Sequence, residues 1–208
     1  MRRRRAGRGG AAAARHPRGD EQHASGQGTA CRRFFFANAY LELVWVENDA
    51  DAGAGEAKRT RLLERWAMRR AGACPFGLIM RQTVEEADTR PAFPTWRYAP
   101  SYFPEGFAIE VAEDTSIAEP EIFYFPFRRA HGMARAQPLE HAVPATSVHR
   151  VTIAGPVPDD LSAASREVVA FGAVRFEEAL VFALTIDFRT DPDASADLRP
   201  DLPLILRW

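Results

Sequence analysis

Two strand-like runs place ionisable side chains among apolar neighbours, where a charge has to be answered. In YLELVWV (40–46), two-residue alternation puts Tyr40, Glu42, Val44 and Val46 on one face and Leu41, Leu43 and Trp45 on the other. An ionised carboxylate at Glu42 then needs a metal, a cation or hydrogen bonds, or its pKa rises. Glu42 is therefore the leading candidate for a catalytic base or a metal ligand. The alternative is a half-exposed sheet glutamate satisfied by water. In VHRVTIA (148–154), Arg150 shares a face with Val148 and Thr152, whereas His149 falls with Val151 and Ile153 on the face expected to pack. Glu110 lies between Ala108 and Ala112 in FAIEVA, which leaves room beside it. Asp187 and Thr185 share a face of LVFALTIDF. Trp96, Tyr98, Tyr102 and Phe103 crowd a proline-rich stretch, as a lid or as the anchoring core of their own loop. His131 and His141 form no HExxH and no i, i+4 histidine pair.

The elements that must carry these residues follow from hydrophobic periodicity. Residues 32–46 predict a hairpin turning at Ala37-Asn38-Ala39. Residues 57–70 predict one helix, with Leu62, Leu63, Trp66 and Ala67 on a single face and Gly72 as its stop. Short strands are expected over 76–81, 107–112 and 121–127, a long ordered loop over 90–106, and a connector over 130–145. The last third predicts strand 148–154, a helix opened by Asp160 and closed by Gly172, then strands 174–177, 180–188 and 202–208. Strand, helix and three strands make an α+β module with the helix on one sheet face.

Composition bounds the partners. The chain has 208 residues, 46% hydrophobic and 26% charged, which excludes global disorder, collagen and a coiled-coil rod. No apolar run approaches the ~18 residues of a membrane-spanning helix, so no membrane partner is expected. The net charge of -1 is unevenly spread: seven arginines and no acid fall in residues 1–18, leaving an acidic body. Phosphate contacts need a basic face, so nucleic acid is not the expected partner. Residues 1–18 are expected to be a solvated tail. Their four alanines are too short for a secretory or twin-arginine signal, and their RGG-like pieces lack interleaved aromatics. Two cysteines, Cys31 and Cys74, form no CxxC. They indicate a reduced, cytoplasmic setting in which both are ordinary core residues. Gly26-Gln27-Gly28 begins like a dinucleotide fingerprint but leads into a strand, and no phosphate-binding loop or GxSxG occurs.

An internal echo organises the rest. YLELVW and the terminal LPLILRW both read as final strands preceded by an apolar strand, which suggests two copies of one module, the first without a visible opening strand and helix. GQGTACRRFFFANAYLELVWV (26–46) resembles the glyoxalase-like domains of the vicinal oxygen chelate superfamily. PFGLIMR, FPTW and DLPLILRW are similar to bacterial members, and the resemblance covers about 19–208. It implies paired βαβββ modules forming a curved mixed sheet with a cleft, often as a homodimer, and a small-molecule ligand. An enzyme of this kind would be a lyase, isomerase or dioxygenase; a sequestering protein and an inactive product lacking the start of its first module are the alternatives. Arg150, Thr152, Glu110, Asp187 and Trp96 are the expected substrate contacts, and an ion pair between Glu42 and Arg150 is expected across the cleft.

Metal-using relatives take ligands from the first and last strands of each module. Here that leaves Glu42 and His149, with Ile205 at the position corresponding to Glu42 in the second copy. Divalent metals usually need three or more protein ligands, so a metal is not the favoured cofactor and no other is named by the sequence.

Overall fold

The computed structural model describes residues 21–24, 27–81, 90–126, 138–156, 158–172 and 174–208. The expected tail and His131 lie outside them. The α+β class holds: three sheets and four helices are formed among the described residues.

The first sheet has the order β1-β2-β3, with β1 Glu21–Ala24, β2 Thr29–Phe35 and β3 Tyr40–Val46, antiparallel throughout. The β2–β3 hairpin is the expected one, in a register that sets Phe35 opposite Tyr40 and Thr29 opposite Val46. β1 was not anticipated, because EQHA offers no apolar alternation. Its pairing with β2 comes from backbone hydrogen bonds that a strand edge makes available to any sequence. Gly28 leads into β2 at φ +69°, and a Cβ there would stand 2.3 Å from the Asn48 carbonyl oxygen.

The single helix expected over 57–70 is broken. After α1 Asp49–Ala52 come α2 Gly55–Arg59 and α3 Leu62–Met68, separated by Arg61 in the left-handed region at φ 58°. Thr60 Oγ1 bonds back to the Ala57 carbonyl at 2.6 Å, and the Arg61 guanidinium donates to the Thr115 carbonyl at 2.9 Å. One local and one tertiary partner thus override the periodicity.

The second sheet has the order β4-β7-β6-β5, from β4 Gly77–Arg81, β5 Thr95–Tyr98, β6 Ile109–Ala112 and β7 Glu121–Phe125. β5 lies inside the stretch expected to be loop. Its prolines flank it rather than interrupt it, which an edge strand tolerates. Trp96, Tyr98, Ile109 and Val111 form a buried cluster joined by Phe103, Phe107, Phe123 and Phe125, so the aromatics are core anchors.

The third sheet has the order β11-β12-β10-β8-β9, from β8 Arg150–Gly155, β9 Val174–Glu178, β10 Ala183–Asp187, β11 Ser195–Asp197 and β12 Leu204–Arg207. α4 Ala163–Ala170 lies between β8 and β9, and four strands, β9 to β12, follow it where three were expected. β11 is three residues long and reads as loop in sequence. α4 is capped by Ser162, whose hydroxyl accepts from Ser165 N at 3.2 Å. Its Ala164 and Val168 pack with Phe93, Ala112 and Ile122 of the second sheet's region.

The hairpin meets the third sheet through its apolar face. Phe34, Phe36 and Leu41 join Ile186, Phe188 and Leu204 in one cluster. At the turn, the Asn38 amide donates to the Val148 carbonyl at 2.8 Å and accepts from Val148 N at 2.9 Å, an imitation of a strand pair made by a side chain. No described helix is long and apolar enough to cross a membrane.

Candidate functional site

Because the Leu41 face of the hairpin is spent on the core, its other face is where Glu42 can act. Thr29, Cys31 and Arg33 of β2 stand there beside Tyr40, Glu42 and Val44 of β3. Arg33 Nη2 donates to Glu42 Oε1 at 3.2 Å, with the side chains 32% and 18% exposed. The guanidinium also stands 5.7 Å from the centre of the Tyr40 ring. Burial pushes the Cys31 thiol up to about 12, and its hydrogen bond and repulsion with Glu42 add to that, against the pull of Arg33. Burial likewise pushes the Tyr40 phenol up to about 12, with Glu42 raising it further.

Tyr102 links this face to the second sheet. Its hydroxyl donates to Gln27 Oε1 at 3.0 Å and lies 3.0 Å from the Tyr98 hydroxyl, while Thr29 Oγ1 donates to the same Gln27 oxygen at 3.2 Å. The Tyr102 phenol is raised by burial first and then by Tyr98 and Glu42, which shows the carboxylate acting on the hydroxyl chain. Arg81 lies 5.9 Å from the Phe125 ring centre and acts on Tyr40 from the second sheet's side. The result is a half-open face with one carboxylate, one guanidinium and phenolic hydroxyls over aromatic walls. Arg33, Tyr40 and Tyr102 were not among the expected site residues. The turn expected at Ala37-Asn38-Ala39 would set Phe34 opposite Glu42; the tighter turn observed pairs Phe35 with Tyr40 and brings Arg33 there, and Tyr102 depended on tertiary packing.

The remaining expected residues divide among other places. Glu42 makes no ion pair with Arg150 among the described residues: Arg33 is next to it on the paired strand and answers its charge first. Arg150 instead stands in register with Asp187, which is 3% exposed and takes two hydrogen bonds from Arg207, at 2.6 and 3.1 Å. Thr152, 8% exposed, stands opposite Thr185 on β10 and Arg175 on β9. Arg150, Thr152, Thr185 and Asp187 do share one sheet face, as alternation required. Glu177 on β9 shares that face and acts on the Arg207 charge.

Glu110 accepts from Thr95 Oγ1 at 2.8 Å on the second sheet. Trp96 is 7% exposed, lies under the Arg59 guanidinium at 4.3 Å, and lines a cavity of about 320 Å³ with Arg59, Arg61, Glu113, Asp114 and Thr115. Neither Glu42 nor Arg33 lines this cavity, and its Arg59 is already held by Glu113 at 3.0 Å.

The donors do not fit a divalent metal. Glu42 is shared between Arg33 and Cys31, His149 is exposed, and Ile205 offers no donor. Among the described residues, no three or more His, Cys, Asp or Glu side chains stand together as a metal would need. His141 is engaged elsewhere, its Nε2 2.8 Å from the Phe35 carbonyl and its ring against Phe36.

Compared with protein-family models, with curated proteins and with solved structures, the chain matches none.

Proposed function

We propose that this chain is a small-molecule-binding protein of glyoxalase-like, vicinal oxygen chelate type, and that its ligand sits on the Arg33–Glu42 face of the hairpin. The observation that carries this reading is the half-open Arg33–Glu42 pair itself, set beside the Tyr40 and Tyr102 rings. A carboxylate acceptor next to a guanidinium donor suits a neutral planar molecule that offers a hydroxyl or amide N–H beside a carbonyl oxygen. Aromatic walls supply the apolar contact such a ligand needs. Binding without turnover is favoured over catalysis because Glu42 is already engaged by two neighbours. The β8–α4–β9–β10–β12 order supports reading the C-terminal third as one βαβββ module and the hairpin as the end of another. On the same reading the protein works in the cytoplasm, needs no nucleic acid or membrane, and pairs with a second copy.

The test is a thermal-shift and calorimetric titration of the full chain with aromatic hydroxy-amides and hydroxy-ketones, beginning with salicylamide. Saturable binding lost in both Glu42→Gln and Arg33→Gln, with the folds intact by circular dichroism, supports the proposal. Binding that is indifferent to both substitutions removes it. A crystal structure in which the hairpin and the C-terminal third are not paired copies of one unit would remove the modular reading while leaving the ligand face standing.

A further inference from the structure

We infer that the polar face of the C-terminal sheet is a second ligand site, independent of the Glu42 face, that binds a small oxyanion, a carboxylate or a phosphate group, between Arg150 and Arg175 on the hydroxyls of Thr152 and Thr185. The placement follows from register. Thr152 stands at the centre, with Arg150 two residues before it on the same strand and face, Arg175 opposite it on β9, and Thr185 opposite it on β10. Four donor-bearing side chains therefore converge within one cross-strand neighbourhood, at the pair and diagonal spacings of a sheet, about 5 to 8 Å.

The charge balance points the same way. Asp187 is the nearest acid in register with Arg150, and its two oxygens are taken by Arg207. Arg150 and Arg175 form no ion pair among the described residues, and neither threonine hydroxyl has a hydrogen-bond partner there. Neither guanidinium is thus held by a carboxylate, although Glu177 shares the face two residues beyond Arg175, on a body that is otherwise acidic. Thr152 is nearly closed from solvent, so a group reaching its hydroxyl would exchange water for fixed donors in a poorly hydrated setting, where charge-assisted hydrogen bonds are strongest. Ala154 and Ala183, next along the same face, carry no group that competes for the threonine hydroxyls.

Two guanidiniums and two hydroxyls serve carboxylate and phosphate alike, so the probes must separate them. The full chain is titrated with inorganic phosphate and, separately, with benzoate, by calorimetry and by ³¹P or ¹⁹F NMR (4-fluorobenzoate). The expected result is saturable binding of one probe that falls at least tenfold in Arg150→Gln, in Arg175→Gln and in the near-isosteric Thr152→Val. Arg97→Gln, an exposed arginine on another sheet, should leave it unchanged. Glu42→Gln should also leave it unchanged, which separates this site from the proposed ligand face. If neither probe saturates, or if Arg97→Gln weakens binding as much as Arg150→Gln, the site is overturned. If Thr152→Val unfolds the chain, the two glutamine variants, which change only the two guanidiniums, decide the matter.

Discussion

Two of this protein's arginine–glutamate pairs, one closed from solvent and one half-open, do different things. Arg65 and Glu121 meet at 2.9 Å with side chains 4% and 3% exposed. Arg33 and Glu42 meet at 3.2 Å with about a fifth to a third of each side chain in water. Around the first pair every donor is spent: Arg65 also bonds the carbonyls of Cys74, Ile117 and Glu119, so α3 is tied to the loop before β7. Burial raises the Glu121 carboxyl even though Arg65 lowers it, the mark of a charge kept in the interior by its partner. Around the second pair solvent still reaches both groups, and phenols and a thiol lie alongside. A closed pair is architecture; a half-open pair among aromatics can exchange water for a ligand.

That contrast is broken first at its buried end. Arg65→Ala leaves the Glu121 charge unpaired in the interior and should cost about 3 to 5 kcal/mol, read as a lowered urea midpoint at unchanged m-value. A cost under 1 kcal/mol would erase the difference between the two regions.

Glu119 supplies the next largest effect. Its carboxylate takes bonds from Ser162 Oγ at 2.7 Å, Ser162 N at 3.0 Å and Ser116 N at 3.1 Å, and so ties the start of α4 to the second sheet. Burial alone would raise its pKa, but the Ser165 hydroxyl nearby and the hydrogen bonds from Ser162 and Ser116 outweigh that and hold it below the ordinary carboxylate value. A depressed folded pKa gives stability that is present above the unfolded value, near 4.5, and is lost as pH falls through the folded one. Glu119→Gln should therefore cost about 1.5 to 3 kcal/mol at pH 7, and the gap from wild type should shrink in urea titrations at pH 3.

Glu42→Gln should change stability by less than about 1 kcal/mol, the range of exposed ion pairs. A loss as large as that of Arg65→Ala would make the hairpin pair architectural too, and would count against the ligand face.

The smallest effect sharpens the comparison. With Cys31 and Cys74 both pushed up to about 12 chiefly by burial, neither thiol should react measurably with a disulfide reagent at pH 8 in the native state. Glu42→Gln removes a group that raises only Cys31, so that thiol alone should react faster, read by mass spectrometry of the labelled peptide. Equal labelling of the two cysteines would show that Glu42 does not govern this face.

Much was legible without coordinates because it rests on local rules. Alternation in YLELVWV separates Glu42 from Leu41, and nothing in the tertiary structure can place them on one face without breaking the strand. The helix over 163–170 is legible from its periodicity and from Gly172, although it opens at Ser162 rather than at the expected Asp160, and the two cysteines are buried small residues. Arg150, Thr152 and Asp187 share a face for the same reason that Glu42 leaves one.

What lay beyond the sequence are the choices made among partners. Glu42 could have met any cation, and it meets Arg33 because the turn closes between Phe36 and Ala39 and pairs Phe35 with Tyr40; a three-residue turn at 37–39 would have set Phe34 there instead. The helix breaks at Arg61 because a carbonyl 54 residues away accepts its guanidinium. β1, β5 and β11 are strands because a neighbouring backbone offered unpaired groups, which EQHA, TWRY and SAD do not announce. Periodicity reports which way a side chain points; only packing decides what stands there, since burial and pairing energies depend on residues distant in the chain.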